Sequence, residues 1–259
     1  MFAFFNSLKE SGGDRDIENN IEVSLKQLGK ADLSISSAGQ SLQILPLGPM
    51  FSDTDIKELL DGQFGVSHPS SYSYGKNGPH TMSAQGVDQY HYLVHSFLEG
   101  YQPFEVDNVM LPLYALAKRK SYLLDEKQYS GRADVWQSSR QAFFNPKGDC
   151  EDHAIILADW LMAMGEDARV VLGDMDGGGH AWVVLFKNGK EYLLEATRKS
   201  GLGRTKPYPL AALYKDYHPR YMFNREGFWV NHGDKFTTDY SGKHWQEMSR
   251  YSVSTSVRK

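Results

Sequence analysis

The residues that could do chemistry begin with one thiol set among acids, Gly148-Asp149-Cys150-Glu151-Asp152. Cys150 is the only cysteine in 259 residues, and it stands where a polar stretch gives way to the apolar run from His153 to Met164. A thiol at the start of a helix is more easily ionised, and the thiolate is the nucleophile. Thiol catalysis also needs a base, a group that orients the base, and donors for the oxyanion. His180 and Glu195 are candidates for the first two. The N–H groups at the helix start, that of Cys150 included, suit the third. The competing reading of Cys150 is an inert buried thiol, the usual fate of a lone cysteine. Its acidic neighbours argue against that, because inert core cysteines sit inside apolar runs. His153 is a rival base three residues after Cys150 on the same helix. It has no evident orienting partner and reads as a solvated helix residue.

The elements that must position these groups are legible in outline. Asp149 suits an N-cap, Asp152 three residues on approximates a capping box, and Gly165 supplies the left-handed stop. Cys150, Ala154, Leu157, Ala158 and Leu161 then share one helix face. His180–Phe186 and Glu191–Ala196 read as two strands around Asn188-Gly189, the preferred type I′ hairpin turn. That turn pairs Lys187 with Lys190, and counting outward sets Trp182 opposite Glu195. His180, Trp182 and Glu195 therefore share a face. His180 and Glu195 become diagonal neighbours about 7–8 Å apart, within reach of long side chains. A glutamate reaching a histidine across a sheet is what orients a general base. Both faces of the hairpin are apolar, so it is expected to be central and covered.

Asp149, Glu151 and Asp152 suit a helix N-terminus, yet like charges oppose a thiolate. Either they point away from Cys150 or a cation neutralises them. Thiol chemistry itself requires no cofactor. Three hard oxygen ligands in four residues could still contribute to a calcium site, which needs 6–8 oxygens in all. His91 and His95 are spaced like two metal ligands on a helix, but no third ligand is near them.

Four features occur in order: Trp136 ahead of Cys150, Gly-Asp-Cys-Glu-Asp opening a helix, Gly-His-Ala-Trp entering a strand, and Tyr-Leu-Leu-Glu-Ala-Thr in the next. Together they resemble the transglutaminase-like superfamily, most closely its bacterial transglutaminase-like cysteine proteinases. The likeness spans Trp136 to Thr197. It implies an α+β, papain-like/transglutaminase-like core with the nucleophile helix packed on an antiparallel sheet. It also implies Cys150 as nucleophile, His180 as base and Glu195 as third member. Trp136 would line the site, and Trp182, on the face of His180, is the second candidate substrate-binding side chain. The acids around Cys150 become calcium candidates by the same resemblance. One departure stands out: the family's third residue is usually Asp, and here it is Glu195.

Elsewhere, helices are expected over residues 15–28, 53–60, 87–99, 106–118 and 134–144, the last capped by Asp134. Short strands are expected within 32–45 and at 168–172, with a long loop over 65–86. A second hairpin, Arg220–Asn224 with Phe228–Asn231, would add edge strands, and the last dozen residues would fray. The boundary is placed in the loop: residues 1–83 are an N-terminal appendage of unknown role, and 84–259 the catalytic domain.

A net charge of -4 without a basic tract argues against nucleic acid and membrane as partners. No apolar run approaches the roughly 20 residues that span a bilayer. The short N-terminal apolar stretch lacks the basic flank of a signal peptide. This reads as cytoplasmic on the sequence given, or periplasmic if a leader has been removed. The expected function is a thiol-dependent amide hydrolase, most simply a cysteine protease acting through an acyl-thioester on a protein or peptide. A transglutaminase or acyltransferase that passes the acyl group to an amine is the alternative. A non-catalytic binding module is the third reading, and the complete Cys–His–Glu set argues against it.

Overall fold

Burial of the cysteine-bearing helix sets the layout. The structure is a computed structural model that describes residues 35, 39–76, 78–200 and 209–253. The helix expected over 15–28 lies outside the described residues. The chain first runs β1 (Gln40–Ile44), β2 (Met50–Phe51), α1 (Asp53–Asp61), β3 (Ser70–Tyr72), β4 (Thr81–Gln85) and β5 (His91–Leu93). Then come α2 (Met110–Arg119), β6 (Ser121–Tyr122), α3 (Asp125–Gln128), α4 (Ser139–Phe144), β7 (Lys147–Gly148) and α5 (Cys150–Ala163). Finally β8 (Asp167–Met175), β9 (Gly178–Lys187), β10 (Lys190–Leu194), β11 (Tyr217–Phe223), β12 (Gly227–Asn231) and β13 (Trp245–Val253) complete it.

The architecture is α+β, with α5 packed on a mostly long-stranded antiparallel sheet of order β10-β9-β8-β11-β12-β13-β1-β2. The helix does not show the one-sided stripe expected of it. Every side chain from Glu151 to Leu161 is buried, between β8 and β9 on one side and α2 and α4 on the other. Ile155, Ile156, Leu157 and Leu161 face in different directions and are all fully enclosed. A helix apolar all round belongs inside, and each such side chain contributes about 1.5–3 kcal/mol. Gly165, at φ 84°, makes the expected left-handed stop.

The hairpin register is as expected. Lys187 pairs with Lys190, Leu194 with Val183, and Asn188 and Gly189 both have positive φ, as a type I′ turn requires. Its position differs. Strand β9 is covered on both faces, but β10 ends the sheet, with a bridge from Tyr192 to Leu210 beside it. The second hairpin, by contrast, is interior, with β11 against β8 and β12 against β13. The C-terminal stretch is not frayed up to Val253, because β13 pairs with both β12 and β1. Residues 40–51, within the segment read as an appendage, thereby lie in the main sheet.

Two further expectations give way to tertiary pairing. Residues 91–97 form a strand and a single 3-10 turn, because His91–Leu93 pairs with β4. That β4, with β3, lies in the stretch read as loop. The helix expected from Asp134 begins at Ser139, where Ser138 and Gln141 form a full capping box. Asp134 instead accepts the indole N–H of Trp136 at 2.5 Å.

One polar group travels into the core with α5. Asp159 is fully buried, and its Oδ1 accepts Arg225 Nε at 2.7 Å while Oδ2 accepts the N–H of Tyr101 at 2.7 Å. Arg225 sits in the β11–β12 turn, so this pair fastens the hairpin to the helix. Arg225→Met is expected to destabilise the fold by about 3 kcal/mol, the scale for stranding one partner of a buried pair. Urea unfolding measures it, and a loss below about 1 kcal/mol would mean the N–H donors of Gly100 and Tyr101 alone satisfy Asp159.

Candidate active site

Cys150 is the first residue of α5 and is partly exposed. Asp149 is the N-cap residue by position, but its side chain makes no capping hydrogen bond. The expected capping box is absent because Asp152 is engaged elsewhere. Its Oδ1 accepts the backbone N–H of Gln137 at 2.7 Å and its Oδ2 accepts Gln137 Nε2 at 2.6 Å. The carboxylate lies so close over Gly148 that a Cβ there would collide with it. Behind this turn, Lys120 is buried with its Nζ donating to the carbonyls of Ala142, Asn145 and Lys147 at 2.7, 2.9 and 3.4 Å. Burial pulls that amine down to about 8 despite the Asp152 charge.

The hairpin brings the other two residues to the thiol. His180 Nε2 lies 2.9 Å from Glu195 Oε2. The side chains of both are largely enclosed, at 9% and 14% exposure. Burial alone would depress the imidazole, but the hydrogen bond to Glu195 and the nearby Cys150 outweigh it and hold His180 up at about 10. With Nε2 given to Glu195, Nδ1 is the nitrogen left for the thiol. Glu195 is pushed up by burial and pulled down further by its donors, to about 2. Those donors are His180, Tyr217 Oη at 2.7 Å, and the N–H and Oγ1 of Thr197 at 3.0 and 2.6 Å.

The remaining sequence candidates are buried side chains. Trp136 and Trp182 are buried, at 2% and 0% exposure, so neither presents a face to a substrate here. Trp182 packs its ring 6.1 Å from His180 and 5.1 Å from Tyr217, and donates its indole N–H to Tyr240. Trp136 stacks on Phe223. His153 is not a solvated residue. It is fully buried, with Nδ1 2.5 Å from the Asp149 carbonyl and Nε2 3.1 Å from Lys199 Nζ. Burial and two nearby lysines hold it near 3, which removes it as a rival base. His91 and His95 share no site. His91 Nδ1 is hydrogen-bonded to Ser83 Oγ, and His95 stacks on Tyr251.

The acids converge rather than point away. Asp125, Asp149, Glu151 and Asp152 are all buried, and each places a carboxylate oxygen within 4.8 Å of the others. Among the described residues, Asp125 Oδ1, Asp149 Oδ1 and Glu151 Oε1 have no hydrogen-bond partner. Converging, unpartnered hard oxygens suit a divalent cation of the calcium type. Asp125 escaped sequence reasoning, since it opens a four-residue helix far from the cysteine and carries no motif. Burial, and then Asp149, push Asp125 up to about 8, and Asp134 rises to about 7 for the same two reasons. Glu151 and Asp152 are raised well above the usual range by burial. Glu151 also accepts from the thiol, with Cys150 Sγ 3.4 Å from its Oε2.

The family model of the CEP76 peptidase-like domain matches residues 134–246, which hold Cys150, His180 and Glu195. This segment is thus similar to that peptidase-like family. Among solved structures, calcium-bound LapG of Legionella pneumophila is 21% identical, with 57% of this chain and 81% of that one covered at a TM-score of 0.40. EGTA-treated LapG is 21% identical, with 52% and 72% covered at a TM-score of 0.38. Among the described residues, no helix is long and apolar enough to cross a membrane.

The crowded acids around Cys150 make stability depend on pH in a defined direction. A carboxyl raised above its unfolded value of 3.8 contributes stability that is complete below 3.8 and is lost as pH rises through its folded value, about 8 for Asp125 and about 7 for Asp134. In chelator, the melting temperature should therefore climb as pH falls through that window, and climb less in Asp125→Asn. Calorimetry showing a flat or opposite slope in both proteins would count against the convergence of charge described here.

Proposed function

We propose that the chain is a thiol-dependent amide hydrolase, in its simplest form a cysteine protease acting on a protein or peptide. The supporting observation is His180 Nε2 held 2.9 Å from Glu195 Oε2, with Cys150 near enough to help raise the imidazole. In the first half-reaction the Cys150 sulfur bonds to the scissile carbonyl carbon while His180 holds the thiol proton. The oxyanion is met by N–H groups at the start of α5, including that of Cys150. The C–N bond then breaks, His180 gives its proton to the leaving amine, and an acyl-thioester remains. In the second, His180 takes a proton from water, hydroxide adds to the thioester carbonyl, and the sulfur leaves with that proton restored to it. Glu195 keeps the imidazole oriented and favours its charged form throughout.

Calcium is proposed as the resident ion, held by Asp125, Asp149 and Glu151, with Asp152 completing the acidic wall. Their unpartnered oxygens support this fit. The ion would supply positive charge to a cluster that otherwise stays protonated, and backbone oxygens or water would complete its coordination.

Iodoacetamide labelling followed by mass spectrometry tests the thiol reading. Alkylation of Cys150 at neutral pH should slow about 100-fold in His180→Ala, the scale of one general base. Cys150→Ser should abolish cleavage of an unfolded protein substrate. A labelling rate indifferent to His180 would falsify the assignment of the base. Adding a lysine-rich peptide separates the outcomes, since an isopeptide product would reassign the enzyme as an acyltransferase. For the ion, saturating calcium should stabilise the chelator-treated protein by about 2.7 kcal/mol at a hundredfold excess over Kd. That gain should disappear in Asp125→Asn, and an equal gain with magnesium would argue for a different cation.

A further inference from the structure

We propose that Tyr217 is a positioning residue, matched to a glutamate at position 195, whose hydroxyl fixes the carboxylate that orients His180. The inference rests on the thiol-hydrolase reading above. Glu195 follows the last paired residue of β10, so strand pairing does not hold it, and its side chain has one more rotatable bond than an aspartate. Left alone it would spread over several rotamers. Both oxygens are instead fastened. Oε1 takes the N–H and Oγ1 of Thr197, and Oε2 takes Tyr217 Oη on one side and His180 Nε2 on the other.

Tyr217 reaches this point from β11, two strands beyond β9 in the sheet. It does so across Gly173 of β8, which pairs with His180 on one side and Pro219 on the other. A side chain at Gly173 would collide with the His218 carbonyl and the Trp182 ring. The bare backbone there lets Trp182 and Tyr217 close over the sheet, with their rings 5.1 Å apart and edge-on. The Tyr217 ring also lies 6.2 Å from that of His180. Ring and hydroxyl thus do separable work: the ring walls the imidazole, and the hydroxyl holds the acid. The phenol stays protonated, since burial and the Glu195 charge both raise it.

Tyr217→Phe keeps the ring and removes only the donor. A double-mutant cycle with Glu195→Asp, read by the alkylation rate of Cys150 and by melting temperature, tests the matching. In the Glu195 background, Tyr217→Phe should slow alkylation about tenfold at little cost in melting temperature. In the Glu195→Asp background it should change the rate less than about twofold, because the shorter carboxylate no longer meets the hydroxyl; coupling of this kind marks residues that act as one unit. Equal effects in both backgrounds, or none in either while His180→Ala slows labelling, would overturn the proposal and leave the thiol reading intact. If His180→Ala also has no effect, the thiol reading fails and this inference with it. Should Tyr217→Phe not fold, 3-fluorotyrosine at 217 keeps ring and shape while strengthening the donor. An unchanged pH profile of alkylation in that protein would overturn the inference, and a shifted one would support it.

Discussion

Enclosing a helix on every side forces its polar groups to find partners inside the protein, and the rest of this structure follows from how α5 meets that demand. A buried polar group without a partner costs about 1–3 kcal/mol, and a charged one more. Asp159 is met by Arg225 and two backbone N–H groups. Asp152 is met by Gln137, and His153 by a carbonyl and Lys199. Glu151, and Asp149 just before the helix, each keep an oxygen without a partner. The satisfied acids are architecture, and the carboxylate oxygens left over gather at the end where the thiol lies.

The two ends of α5 therefore do different things. At its C-terminal half, the Asp159–Arg225 pair ties the helix to a hairpin in the middle of the sheet. At its N-terminus, the same sheet delivers His180 and Glu195 from β9 and the residue after β10. Helix and hairpin are held by separate contacts, so the relative placement of Cys150 and His180 is set by the packing of α5 on β8 and β9. Removing water from that interface also strengthens every charge interaction within it, which is why the His180–Glu195 pair departs so far from solution behaviour.

What could be read from the chain alone was whatever is local or has a fixed register. Asn188-Gly189 determines which residues of two strands face each other, so the His180–Glu195 meeting was legible before any coordinates. The cysteine helix was legible from its apolar run and from Gly165. Its complete burial was not, because a single helix does not say how many layers cover it. Asp125 was hidden for a related reason: an acid contributed by a four-residue helix has no periodic signature. Edge and centre were exchanged for the two hairpins because strand order is a long-range property. Residues 91–97 look amphipathic at helical spacing, yet β4 captures them as a strand. Both tryptophans are buried, Trp182 against the His180 ring and Trp136 against Phe223.

Lys120 gives the approach to the cysteine a character of its own. Its ammonium gathers three carbonyls from the end of α4 to the residue before Gly148, a geometry that cannot loosen without stranding a buried cation. The segment that carries the chain up to Cys150 is thus ordered when the protein folds. A ligand arriving at the thiol meets a surface with little conformational entropy left to lose, so association should proceed without a disorder-to-order step in residues 142–148.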